Sequence, residues 1–159
     1  MAKLYKAPMI EDNYTYDAIG KNSEVFSDGD LVTTGGGAGL RVAVAGDSII
    51  GVKAGKETMT STNQTVALVK PGFQPIDMDY EYAIDTNADL NALTSVGATF
   101  NITGTTGAQL VDVAGGVTSG STALVICTKV DPSGLGGTGV GSGLRKGVFK
   151  IVKVIGAEN

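Results

Sequence analysis

The sequence predicts an all-β fold: a small antiparallel β-barrel or sandwich with one short helix and an extended N-terminal arm. Three observations predict it. Apolar residues come in short runs with the period-two alternation of half-buried strands. Asp-Gly, Gly-Asp and Pro-Gly pairs punctuate those runs. The chain also holds 24 glycines in 159 residues, about twice the usual share, which suits many turns and few long helices.

Residues 1–23 form a distinct opening segment. It carries Tyr5, Tyr14 and Tyr16 with Leu4, Met9 and Ile10. Pro8 biases Ala7 toward extended geometry, and Tyr14-Thr15-Tyr16 alternates as an edge strand does. Two readings stand side by side: a first strand laid on the body, or an arm that reaches a neighbouring molecule. Fully extended, such a segment spans roughly 75 Å.

Residues 24–159 form the β domain. The stretch from Val25 to Lys53 reads as a meander of three or four short strands. Leu40, Val42 and Val44 share one face there, with Arg41 on the other. Thr65 to Val69 follows, ended by Pro71-Gly72, and then Gln74 to Met78 and Tyr80 to Ile84. Asp85 to Leu93 is the single helix candidate. An Asp or Thr cap precedes Ala88, and Leu90 and Leu93 lie three apart. Thr99 to Thr103 is a further strand, ended by Gly104 to Gly107. Gln109 to Val113 and Thr122 to Val130 read as a pair around a Gly and Ser linker. Asp131 to Gly143 is a glycine-rich loop of low complexity, with few side chains to bury. Gly147 to Ile155 closes the chain as a strand whose two lysines mark a partly exposed face.

Composition narrows the function. The net charge is −4 and the pI about 4.7, so nucleic acid is an unexpected partner, because phosphate binding draws on Lys and Arg releasing counterions. The basic residues are scattered apart from Arg145-Lys146 and the Lys150/Lys153 pair. No apolar run approaches the ~20 residues of a membrane span, and Met-Ala-Lys-Leu-Tyr-Lys-Ala-Pro lacks the apolar stretch of a secretory signal. Cys127 is the one cysteine. It sits in an apolar run and reads as a small buried hydrophobe, which fits assembly in a reducing cytoplasm.

Chemical motifs are sparse. Gly134-Leu-Gly136-Gly-Thr-Gly139 matches G-x-G-x-x-G, but no helix follows to aim its amides at a pyrophosphate. Gly51-Val-Lys-Ala-Gly-Lys lacks the spacing of a P-loop. Asp85-Thr-Asn87-Ala-Asp89 starts like an EF-hand loop, yet Leu90 stands where Gly is needed and Val96 where the bidentate Glu belongs. Asp28/Asp30 and Asp77/Asp79 are spaced to share strand faces, as acid–base carboxylates do. With no histidine and a single cysteine, hydrolytic triads and zinc sites lack support. The expectation is a protein without catalytic residues, cofactor or metal.

The order Phe26-Ser-Asp28-Gly29-Asp30-Leu-Val, then Leu40-Arg-Val-Ala-Val-Ala-Gly46-Asp47-Ser-Ile-Ile-Gly51-Val, then Thr65-Val-Ala-Leu-Val resembles the capsid cement, or decoration, proteins of tailed phages. The Thr86-Asn-Ala-Asp89-Leu stretch and the last strand, Arg145-Lys-Gly-Val-Phe149-Lys-Ile-Val, extend the resemblance from Val25 to Val154. The glycine-rich 131–143 loop and the long opening segment depart from the minimal pattern. The resemblance implies a β-barrel bound to the outside of the virion shell, bridging adjacent major capsid subunits, self-associated with a trimer favoured, and assembled in the host cytoplasm. Leu4, Tyr5, Met9, Tyr14 and Tyr16 are the expected capsid contacts, since aromatic anchors and added strands hold partners well. A tail or fibre module with carbohydrate affinity, using Phe73 and Tyr80 to Tyr82, is the alternative. A hydrolase built on the Asp pairs is a third reading.

Overall fold

The structure is a computed structural model, and it describes residues 3–6, 16–17, 19–34, 39–59, 72–76, 79–91, 94–130 and 144–154. The strands in chain order are β1 (Lys3–Lys6), β2 (Tyr16–Asp17), β3 (Val25–Phe26), β4 (Leu31–Thr33), β5 (Arg41–Val42), β6 (Gly51–Lys53) and β7 (Glu57–Thr58). Then come β8 (Gly72–Pro75), β9 (Glu81–Leu90), β10 (Thr99–Phe100), β11 (Ile102–Thr103), β12 (Leu110–Val111), β13 (Val125–Val130) and β14 (Leu144–Ile151). One 3-10 turn, Gly120–Thr122, is the only helical element among the described residues. The all-β expectation holds.

Six strands form a nearly closed, barrel-like sheet in the order β10-β13-β14-β9-β12-β11. The two ends of that order are neighbours in the chain, because β10 and β11 are halves of one strand interrupted at Asn101. Thr99 and Phe100 pair with Ile126 and Val125. Ile102 and Thr103 pair with Val111 and Leu110 on the other side. Closure removes strand edges that would otherwise offer unpaired amides. The barrel fills with Tyr82, Ile84, Phe100, Val125, Phe149 and Ile151, among others. Gly147 lies opposite Ile84. A Cβ there would stand 2.7 Å from Leu90 Cδ1 and 3.0 Å from the Phe149 ring, so the rings and methyls pack where a side chain would be.

A second sheet runs β2-β8-β6-β4-β5. Its alternation divides two cores. Leu31 and Val52 face the barrel core, whereas Val32, Val42 and Phe73 join Phe26 and Met59 in a smaller cluster on the opposite face. The β3–β7 ribbon brings Phe26 to that cluster. The Val25–Lys53 strands form as expected, except that β4 is central, paired to β5 on one edge and β6 on the other.

Three sequence expectations are corrected. The helix over 85–93 is absent: residues 81–90 are one long strand. A helix of two turns at most pays its nucleation for few bonds. As a strand, Asp85 and Leu90 pair with Lys146 and Leu144 of β14, and Thr86 pairs with Val111 of β12 on the other edge. Asn87 adds a side-chain tie to the loop after β12, donating from Nδ2 to Asp112 Oδ1 at 2.7 Å and accepting from Ala114 N at 2.9 Å. Second, β12 and β13 do not pair. Each pairs instead with one half of the interrupted 99–103 strand, a non-local partner that adjacency in sequence hides. Third, β8 lies two residues earlier than the expected 74–78 strand. The expected strand at Thr65 to Val69 and the 131–143 loop lie outside the described residues.

The two sheets are joined by the turn after β11. Buried Gln109 accepts from Leu31 N at 2.7 Å and donates to Leu31 O at 3.2 Å and Ala43 O at 2.8 Å. Asp30, fully buried, accepts from Ser27 N and Gly107 N, both at 2.8 Å. Thr106 Oγ1 donates to Val25 O at 2.7 Å. On the other side Asn101 Oδ1 accepts from Gly46 N at 3.1 Å, and Lys153 Nζ donates to Gly46 O at 2.6 Å.

Burial raises the Asp30 carboxyl above the usual carboxylate range, against two backbone amides that pull it down. The folded state therefore holds the proton more tightly than the unfolded chain. On this group alone, stability is greatest at low pH and declines as pH rises from about 3.8 through the folded-state value. Thermal melting of the protein and of Asp30→Asn across that range checks it. The stability difference, protein minus variant, should fall with rising pH and level off near neutrality. A difference that rises would contradict the sign.

Candidate binding edges

Several strands pair on one edge alone among the described residues. The barrel sheet closes through the 99–103 strand. In the second sheet the β5 end is occupied: Val42 N donates to Glu24 Oε1 at 2.9 Å, and Leu40 N donates to Ile19 O while Lys21 N donates to Leu40 O. Among the described residues β1 and β2 each pair on one edge alone, as do β3, β7, β10 and β11; of these, β1 and β2 lie in the opening segment.

The expected capsid contacts divide accordingly. Leu4 and Tyr5 lie in β1, which pairs antiparallel with β9: Lys3 opposite Ala83, Leu4 opposite Tyr82 and Lys6 opposite Glu81, with a register shift at Tyr5. Tyr16 lies in β2, opposite Phe73 of β8. Met9 and Tyr14 lie outside the described residues. The structure thus brings Leu4 and Tyr5 to the barrel sheet and Tyr16 to the second sheet. The β9 residues that receive β1, Glu81 to Ala83, fall within the expected strand Tyr80 to Ile84; only the continuation past Asp85 departs from the sequence reading. The run Tyr82 to Ile84 was the available signal.

An open edge offers a row of backbone donors and acceptors to any extended segment, so the arrangement suits strand addition by a partner. The residues singled out for chemistry have structural roles. Asp28 Oδ1 accepts from Gly55 N at 2.8 Å, while Asp30 faces Gly107, so this pair serves two different turns. Asp79 is in an exposed turn, and Asp77 is outside the described residues. Asp85, Asn87 and Asp89 lie on β9, not in a calcium loop. Gly51 to Lys53 is β6. Arg41 holds Asp47 by two bonds of 2.8 Å. Burial pushes the Asp47 carboxyl up, but Arg41 and the Val44 amide bring it below the usual range. Burial pushes the Cys127 thiol up to about 11, so it stays protonated at neutral pH. No group of three or more His, Cys, Asp or Glu placed to hold a metal occurs among the described residues. Of the aromatic platform considered for carbohydrate, Phe73 and Tyr82 are buried in the two cores, and Tyr80 is half-buried with its ring 6.4 Å from that of Tyr82.

No family model matches the chain, and no curated protein or solved structure matches it.

Proposed function

We propose that this chain is a structural binding protein of a virion: a capsid cement protein that sits on the outer surface of a phage shell and braces adjacent major capsid subunits. The observation that carries the reading is the placement of open edges. β1 and β2, within the first 17 residues where Leu4, Tyr5 and Tyr16 lie, each pair on one edge alone and so offer an edge to a partner's strand. The resemblance of the Val25–Val154 segment to cement proteins supplies the partner. Several copies, a trimer in this reading, multiply a modest affinity per contact. No cofactor enters this role.

The test is truncation. Ile19 to Lys21 are stitched to Leu40, and Gly20 packs against Met59, so the cut is placed after Asp17. The truncated protein should keep a β-type circular dichroism spectrum and lose sedimentation with expanded capsids by about a hundredfold in affinity, on the order of two anchor residues. Full binding by the truncated chain would refute the role of these edges.

A further inference from the structure

The turn that joins the opening segment to the body carries an unguarded asparagine. Asn22 and Ser23 are its two central residues, and both are exposed. One backbone bond closes the turn, Glu24 N to Lys21 O at 3.2 Å, with an ion pair of 3.6 Å between the same two residues. Ser23 has φ +61°, the one positive φ at a non-glycine residue among those described, a backbone state that crowds a side chain. Neither the Asn22 carboxamide nor the Ser23 amide has a hydrogen-bond partner among the described residues. The other candidate pairs are held. In Asp28-Gly29 the glycine would leave the main-chain nitrogen least crowded, but Gly29 N donates to Lys53 O at 3.0 Å and Asp28 Oδ1 accepts from Gly55 N at 2.8 Å. Asn87 is bonded through both ends of its carboxamide. After Asn101, the Ile102 nitrogen donates to Asn101 Oδ1 at 3.0 Å, and Ile102 is buried.

We infer that Asn22-Ser23 is a site of spontaneous main-chain modification, at which Asn22 loses its amide through a cyclic imide. The Ser23 backbone nitrogen attacks Asn22 Cγ. A new C–N bond closes a five-membered ring, the Cγ–Nδ2 bond breaks, and ammonia leaves with the proton that Ser23 N gives up. Water then opens the ring: its hydroxyl adds to one ring carbonyl, and its remaining proton returns to the ring nitrogen. Opening at Cγ leaves aspartate. Opening at the main-chain carbonyl leaves isoaspartate, whose backbone runs through Cβ and Cγ. No oxidant or reductant enters. Ring closure requires the backbone at Asn22 to rotate out of the turn, and the local structure yields readily. The attacking nitrogen has no bond to give up, and opening the turn relieves the crowded Ser23 conformation. The product falls between two fastenings: Ile19 to Lys21 are clasped to Leu40, and Glu24 holds Val42 N. Isoaspartate lengthens the link between them and sets a new carboxylate beside Glu24. The inference does not depend on shell binding.

The test incubates the full folded chain in warm, mildly alkaline buffer and follows its peptides by mass spectrometry, with electron-transfer fragmentation to separate aspartate from isoaspartate. Circular dichroism confirms that the chain stays folded throughout. Asn22 should convert roughly tenfold faster than Asn87 or Asn101, the factor that one net hydrogen bond represents. Isoaspartate should be among its products. In the urea-unfolded chain that protection is gone, so the three rates should draw together. Asn22→Gln should remain unconverted at that position, since the longer side chain would have to close a less favourable six-membered ring. Asn22 that stays intact in the folded chain, or that converts no faster than Asn87 and Asn101, would overturn the inference. Conversion to aspartate alone would also overturn it, because direct hydrolysis forms no ring.

Discussion

Gln109→Ala should lower stability by about 3–5 kcal/mol, because it takes the side-chain partner from a buried donor, Leu31 N, and a buried acceptor, Ala43 O, at roughly 1–3 kcal/mol each, while Leu31 O keeps its bond from Ala43 N. The carboxamide bonds Leu31 N, Leu31 O and Ala43 O, and the residue is 2% exposed. At a urea slope of about 2 kcal/mol/M the midpoint should move by roughly 2 M. Gln109→Glu refines the result. A carboxylate still accepts from Leu31 N, but it faces two carbonyl oxygens and cannot donate to either. At neutral pH it should be at least as damaging as alanine, and it should recover in part when acid protonates it. A midpoint shift below about 0.5 M for Gln109→Ala would mean that water or a neighbour replaces the amide.

The second large effect is expected at Gly104, which opens the turn carrying Gln109. Its φ is +93°, and a Cβ there would fall within contact distance of the Ala108 carbonyl oxygen, backbone against backbone. Gly104→Ala thus meets a left-handed conformation, unfavourable by roughly 1–2 kcal/mol for a side chain, and a clash that only movement of the turn relieves, adding about 1–3 kcal/mol. The turn cannot move alone. Ala108 N bonds Thr105 O, and Gly107 N is held by Asp30. The expected outcome is a loss of about 3 kcal/mol with premature loss of contact between the sheets. Denaturation followed by both near-UV and far-UV dichroism checks it. Gly116→Ala is the control: its φ is +84° but nothing lies within 4 Å of the added methyl, so the conformational part alone should remain.

These two residues mark what was legible in the sequence. The all-β class was, because turn residues and period-two runs are local signals. The Val25–Lys53 strands were, for the same reason. Gln109 was not singled out, since its partners lie 66 and 78 residues away and a glutamine in a polar-looking turn carries no local mark of burial. The helix reading over 85–93 failed similarly: cap and i, i+3 leucines are local cues, whereas the pairing that overrides them comes from β14 and β12. The closure at Asn101 was hidden because one short run serves two partners. For the candidate site, the part of β9 that receives β1 lies in the expected strand Tyr80 to Ile84, whereas Gly72 and Phe73, which receive β2, fall just ahead of the expected 74–78 strand.

The pairing of β1 with β9 also grades how the molecule yields under load. β1 is fastened through Lys3, Leu4 and Lys6, while β9 is held by β14 from Glu81 to Asp85 and again at Leu90. A pull applied through the first residues peels β1 away before it disturbs β9, and the ring behind it keeps its shape. The tether lets go ahead of its anchorage, so a lost attachment can be remade without refolding.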